Sequence, residues 1–275
     1  MVKLGKMRSP LNIHSNGDFR WLTFPVLESF PFLDHGFTLK PFAAQTFRRR
    51  DLLQQLRSRA GLTAERLALT DQVHSSTVAE ADTERTYPRS DGLLTSHPGI
   101  ALGAYSADCL LIYLLDPIRK AVGLLHAGRR GTQSRIAENA ARLLLSRFGS
   151  DPSSCLAVFS PAIGPCCYEM DLEEENTRQL RSLGLTNIIP CRTCTGCQPE
   201  LFYSYRKGER GNRMMGWIGI KQVRSQKAEV RSESKKQEVA AGVSSESLTA
   251  SVKLSLHTPY DSHGLRLSHP GPLNL

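Results

Sequence analysis

The chain has no apolar run long enough to cross a bilayer. Its longest, Cys109 to Leu115, has seven residues, against the roughly 20 that a membrane-spanning helix requires. The start, M-V-K-L-G-K-M-R-S-P-L-N, carries lysines with no apolar stretch behind them and fails as a secretory signal, so a cytoplasmic location without membrane partners is expected. The seven cysteines are odd in number, and four lie in apolar or Gly/Pro-rich segments. They do not read as a secreted disulfide framework; reduced thiols serving as ligands or nucleophiles fit better. A concentrated basic stripe is also lacking. The net charge is +9, but residues 1–20 and 221–275 each hold +3, which leaves +3 for the 200 residues between them. A nucleic-acid partner is therefore not expected.

What is present is enough for one large domain or two small ones: 275 residues, 40% apolar and 22% charged. From Lys221 onward the chain turns rich in Ser, Lys and Glu, with no aromatic residue before Tyr260. It lacks the apolar surface that would offset ordering entropy, so 221–275 is predicted to be a disordered polar tail. Residues 1–17 are expected to be a flexible N-terminus, and 18–220, without linker or repeat, one catalytic domain. Apolar spacing and glycine stops predict helices over 50–60, 132–148 and 171–183. Strands are expected at 67–74, 100–106, 109–115, 121–126, 156–160, 201–205 and 214–220, which makes the domain α+β.

Residues 106–131, S-A-D-C-L-L-I-Y-L-L-D-P-I-R-K-A-V-G-L-L-H-A-G-R-R-G, hold two apolar runs around a polar, proline-containing turn. A turn centred between Pro117 and Ile118 makes Cys109 and His126 directly opposed on one face of the sheet. Opposed Cβ atoms lie about 4.5–5.5 Å apart, close enough for thiolate and imidazole to share a metal ion or a proton. A slip of one residue would separate them onto opposite faces. His74, in D-Q-V-H-S-S-T at the end of a predicted strand, is a candidate third ligand. Two imidazoles and a thiolate leave a fourth zinc position open for water or substrate. Asp108, next to Cys109 on a regular strand, would face away and serve as support.

After His126, Gly128, Arg129, Arg130 and Gly131 form a strand-to-helix turn whose N–H groups and guanidiniums suit an anion, most simply phosphate. The turn Ser160–Glu169 reads as a pocket wall, with Cys166 and Cys167 diverging because they are adjacent. Cys191, Cys194 and Cys197 form C-x-x-C-x-x-C, a candidate second metal site without an evident fourth ligand.

Six ordered blocks carry a resemblance: D-Q-V-H; S-A-D-C-L-L; H-A-G-R-R-G; S-P-A-I-G-P-C-C-Y-E; C-x-x-C followed by L-F-Y-S-Y-R-K; and G-N-R-M-M-G-W-I-G-I. Between about Trp21 and Ile220 the chain resembles the laccase-domain family of polyphenol oxidases and purine nucleoside phosphorylases, some members of which are peptidoglycan editing factors. It departs from the family pattern between Phe37 and Arg50, at Arg129 where a tryptophan is usual, and between Glu169 and Asp171, where a longer segment is usual.

The resemblance implies two mixed β-sheets packed face to face with flanking helices in a single domain. It also implies zinc, rather than copper, on His74, Cys109 and His126. The implied activity is phosphorolysis of adenosine, inosine and methylthioadenosine, with adenosine deamination beside it, and the implied partners are purine nucleosides and phosphate. The alternatives are a Cys109–His126 hydrolase or amidase acting on cell-wall peptide precursors, a catalytically impaired binding protein, and a copper polyphenol oxidase, for which three ligands fall short of a multicopper set.

Overall fold

A computed structural model describes residues 11–222; residues 1–10 and most of the expected tail lie outside it. Thirteen strands occur among the described residues: β1 (Asn12–Asn16), β2 (Phe19–Thr23), β3 (Leu33–Thr38), β4 (Arg66–Thr70), β5 (Val78–Glu80), β6 (Thr86–Tyr87), β7 (Gly92–Thr95), β8 (Ile100–Ser106), β9 (Leu110–Asp116), β10 (Ala121–Ala127), β11 (Leu156–Phe159), β12 (Asn187–Ile189) and β13 (Met214–Ile220). The helices are α1 (Pro25–Glu28), α2 (Arg49–Ala60), α3 (Arg129–Gln133), α4 (Ile136–Phe148) and α5 (Leu172–Arg181). None is long and apolar enough to span a membrane.

The strands form a seven-stranded sheet, β1-β2-β3-β13-β8-β4-β6, and a six-stranded sheet, β12-β11-β9-β10-β7-β5, both mixed. The side chains of β9 show how they are layered. Leu111, Tyr113 and Leu115 point into a core shared with Leu102 and Ile218 of the other sheet. Leu110, Ile112 and Leu114 point the other way, against Ala137, Ala140 and Leu144 of α4. Successive strand residues face opposite sides, so the seven-residue apolar run is explained by a strand covered on both faces. On the outer face of the seven-stranded sheet, Leu52 and Leu56 of α2 pack on Leu67, Met215 and Trp217. The order is thus helix, sheet, sheet, helices.

Tyr113 fastens the two sheets: its hydroxyl donates to the Gly36 carbonyl at 2.8 Å, and burial raises its pKa well above the ordinary phenol range. Gly216 makes this possible, since a Cβ there would stand 2.3 Å from the hydroxyl oxygen.

Four expectations need correction. The segment expected to be flexible up to residue 17 contains β1, which pairs with β2. The predicted helix 132–148 is two helices, because Thr132 spends its carbonyl on Gln179 and on the Arg135 amide, and Arg135 turns left-handed at φ 65°. The predicted strand 201–205 is a loop whose Phe202 and Tyr203 plug the inter-sheet core. Strand 67–74 stops at Thr70, leaving His74 on the following loop.

Candidate functional site

Cys109 sits where the chain changes sheets. Strand β8 belongs to the seven-stranded sheet and β9 to the other, and Ala107–Cys109 make the crossing. Asp108 holds that crossing in a left-handed conformation, φ 87°. Its Oδ1 accepts from the Thr195 hydroxyl and its Oδ2 from the Arg206 amide, both at 2.7 Å, while its carbonyl accepts from the Ile163 amide at 2.8 Å. Asp108 therefore ties three loops together and supports the cysteine.

The hairpin register differs from the expected one by two residues. His126 opposes Leu111, and Asp116 opposes Ala121. Asp116 caps the turn, its Oδ1 accepting from the amides of Ile118 and Arg119 at 2.8 and 2.9 Å, and Lys120 closes it with φ 51°. The loop is four residues long, centred one position later than expected. A shift of two preserves the face, so Cys109 and His126 become diagonal rather than direct neighbours, still within side-chain reach.

One ligand atom each from His74, Cys109 and His126 lies within 4.8 Å of the others. The Cys109 sulfur is 3.9 Å from His74 Nε2, and the two imidazoles meet edge to face at 4.9 Å. Opposite Cys109 stands Gly128, where a Cβ would lie 2.8 Å from the sulfur and 3.0 Å from His74 Cδ2; this glycine leaves room for the ligands. Gly131 similarly admits the His74 loop, since its Cβ would meet the Ser75 carbonyl at 2.9 Å.

The residue that organises the trio is Asp91, which nothing in the sequence singles out. It is fully buried. Its Oδ1 accepts from the His126 Nδ1–H at 2.9 Å and the His74 amide at 3.0 Å. Its Oδ2 takes the Ser75 amide and hydroxyl at 2.7 and 2.8 Å and the Val73 amide at 3.2 Å. One carboxylate thus shapes the His74 loop, on which His74 adopts φ 60°, and leaves His126 Nε2 as that residue's ligand atom.

Charge follows from these contacts. Burial would raise the Cys109 thiol, but His126 and His74 outweigh it and hold it down at about 6. Burial would likewise lower His126, yet the cysteine and Asp91 raise it to about 9. Asp91 is held at about 2, its bonds to His126 and Ser75 outweighing desolvation. Two nitrogens and an anionic sulfur with an open side match the donor set of a three-ligand zinc site, so the residues present fit a divalent metal.

The trio opens into a cavity of about 1220 Å³ that is also lined by Arg49, Arg129, Arg206, Arg210 and Arg213 and by Tyr105, Tyr168 and Tyr205. Arg129 and Arg206 both reach Glu169, at 2.7 and 3.6 Å, and Arg206 stacks 4.6 Å from the Tyr168 ring centroid. Of the two arginines in the glycine turn, Arg129 therefore lines the cavity. Arg130 is exposed and lies outside its lining.

The cysteines regroup. Cys191 is buried with the helix-side apolar cluster, where burial pushes its thiol up to about 12, and it takes no part in a cluster with Cys194 and Cys197. Cys166 and Cys167 do, and the four sulfurs lie within 4.8 Å of one another. The expected divergence of Cys166 and Cys167 does not occur, because the turn following Gly164 brings both toward Cys197.

Comparison with known proteins follows the same lines. The family model described as multi-copper polyphenol oxidoreductase laccase matches residues 45–174 and 168–221. Purine nucleoside phosphorylase YlmD of Geobacillus stearothermophilus is 32% identical over 199 residues, covering 56% of this chain and 72% of the relative. Human purine nucleoside phosphorylase LACC1 is 27% identical over 206 residues, covering 62% of this chain and 47% of the relative. The crystal structure of YlmD from Geobacillus stearothermophilus superposes with a TM-score of 0.66 at 27% identity, over 78% of this chain and 100% of that one. With the family pattern running through most of the described domain and the fold shared, the chain belongs to the multi-copper polyphenol oxidoreductase laccase family.

Proposed function

We propose that this protein is a zinc-dependent purine nucleoside phosphorylase acting on adenosine, inosine and methylthioadenosine, with adenosine deamination as a companion reaction. The observation that carries the reading is a His–Cys–His ligand set opening into a cavity lined by five arginines and three tyrosines. The names of its relatives support it at the level of the family.

Phosphorolysis breaks the bond from the sugar C1′ to the purine N9 and forms one from C1′ to a phosphate oxygen; the departing purine must take up a proton. Arg129 and Arg206 would hold the phosphate through charge-assisted, forked hydrogen bonds, with Glu169 between them yielding its place. Tyr105, Tyr168 and Tyr205 offer aromatic faces for the purine. His74, Cys109 and His126 would hold the metal, His126 with its Nδ1 proton committed to Asp91. A bound zinc ion supplies Lewis acidity at a substrate or water oxygen.

A second reading has its own support: Asp91, His126 and Cys109 also form the orienting acid, base and thiolate of a metal-independent cysteine hydrolase. One experiment separates the two. Under the zinc reading, purified protein contains a metal at the His–Cys–His site, releases hypoxanthine from inosine only with phosphate, and loses that activity on chelation and in Cys109→Ala. Full phosphate-independent activity after chelation, abolished by thiol alkylation, would establish the hydrolase instead.

A further inference from the structure

We infer that Cys166, Cys167, Cys194 and Cys197 form a second metal site that takes a single thiophilic divalent cation, most simply zinc, on four thiolates. The Cys166 and Cys167 sulfurs lie 3.4 and 3.6 Å from that of Cys197, and all four fall within 4.8 Å of one another. A tetrahedron with zinc–sulfur bonds of about 2.3 Å has sulfur–sulfur edges of about 3.8 Å, so closure around an ion requires shifts of some tenths of an ångström.

The surroundings are built for close approach. Added Cβ atoms at Gly164 and Gly196 would press within 3.3 Å of Cys194 Cβ and 3.2 Å of the Cys167 sulfur. The Gly164 amide donates to the Cys194 sulfur at 3.2 Å, and the Lys207 side chain lies beside Gly196. Both offset part of the negative charge that four thiolates leave around one dication. Cys166 and Cys197 are exposed, which gives the ion a path in. Binding displaces the thiol protons to solvent and changes no oxidation state.

The site has a definite place in the fold. It joins the turn that presents Ile163 and Tyr168 to the cavity with the segment that leads to Tyr205 and Arg206. These two segments already meet in the isolated bridge Ala162–Cys194. The ion would be a staple in the cavity wall, separate from the His74–Cys109–His126 set.

The test removes the first site so that only the second reports. Full-length Cys109→Ala protein, purified under reducing conditions from zinc-supplemented cells, should retain about one zinc per chain, against two in the unaltered protein. Its cobalt-exchanged form should show the sulfur-to-cobalt charge transfer and intense visible bands of a tetrahedral thiolate site. Adding Cys197→Ser should remove both zinc and bands, whereas adding Cys191→Ala should leave them. The cobalt spectrum of Cys109→Ala alone decides the matter even if the Cys197→Ser protein does not fold. Cys109→Ala protein that takes up neither zinc nor cobalt, carries a Cys166–Cys197 disulfide instead, or keeps its metal after Cys197→Ser would overturn the inference. The proposed phosphorylase can fail its own assay without altering any of these outcomes.

Discussion

Replacing Asp91 with asparagine changes one oxygen to an amino group and should disable the site without changing its shape. Five donors converge on the carboxylate, three on Oδ2 and two on Oδ1. The amide must therefore aim its NH2 at donors in either orientation. The less costly orientation puts NH2 at the Oδ1 position, where His126 can adapt by switching tautomer so that Nδ1 accepts. The Nε2 then carries the proton and has no lone pair for a ligand, and the His74 amide is left without its acceptor.

Hydrogen bonds to a charged group contribute about 1.5–3 kcal/mol each. With two altered and one of them partly recovered, a loss of about 3 kcal/mol is expected. In a domain of this size that lowers the melting midpoint by roughly 6–12 °C. Losing the carboxylate behind a ligating histidine typically weakens metal binding by about 10–100-fold. Calorimetry gives the first number, zinc competition against a chromophoric chelator the second, and nitrogen chemical shifts of His126 the tautomer. If the Asp91→Asn protein melts within about 2 °C of the unaltered chain and binds zinc within about twofold, both short of these magnitudes, the role assigned to Asp91 is refuted.

Three further outcomes are expected. Burial raises the Glu173 carboxyl from 4.5 to about 7, so between those values the folded chain binds a proton that the unfolded chain releases. Stability therefore falls as pH rises through that window, by up to about 3 kcal/mol, and Glu173→Gln should flatten this slope in denaturant titrations at pH 5 and 8. Gly216→Ala, which forces a Cβ toward the Tyr113 hydroxyl and to 2.6 Å from Leu111 Cδ1, should cost about 1–3 kcal/mol; an unchanged denaturation midpoint would count against close packing there. Arg129→Ala and Arg206→Ala should each raise the KM for phosphate by roughly 10–150-fold, the equivalent of the 1.5–3 kcal/mol of a charge-assisted bond, while Arg130→Ala leaves it unchanged. The reverse order would return Arg130 to the site.

The parts of the fold that bury a continuous apolar surface are legible in the chain. Strands β8, β9, β10 and β13 follow from apolar runs, and α2 and α5 from their stripes and glycine stops. Strand β1 is not legible because Asn12–Asn16 is exposed on both faces, so no alternation marks it. Residues 201–205 mislead in the opposite sense, since Phe202 and Tyr203 are core side chains delivered by a loop. Face and proximity of Cys109 and His126 survive an error in register because the error is even. Asp91 is a solitary acid in S-D-G, and only the meeting of β7 with β10 and the His74 loop gives it meaning. The rule that adjacent side chains diverge holds on an extended strand; Cys166 and Cys167 lie in a turn, where it does not apply.

The three metal-ligand candidates do not belong to one layer. His74 follows β4 of the seven-stranded sheet, His126 lies on β10 of the six-stranded one, and Cys109 is on the chain segment that passes between them. An ion held there would act as a rivet through both layers, and sliding one sheet over the other would have to break a coordination bond. Metal occupancy and sheet packing then become two readings of the same free energy: at a free zinc concentration about a thousand times its dissociation constant, occupancy adds about 4 kcal/mol to the stability of the fold. Conversely, a core substitution that shears the sheets, remote from any ligand, would be felt first as a loosened grip on the metal.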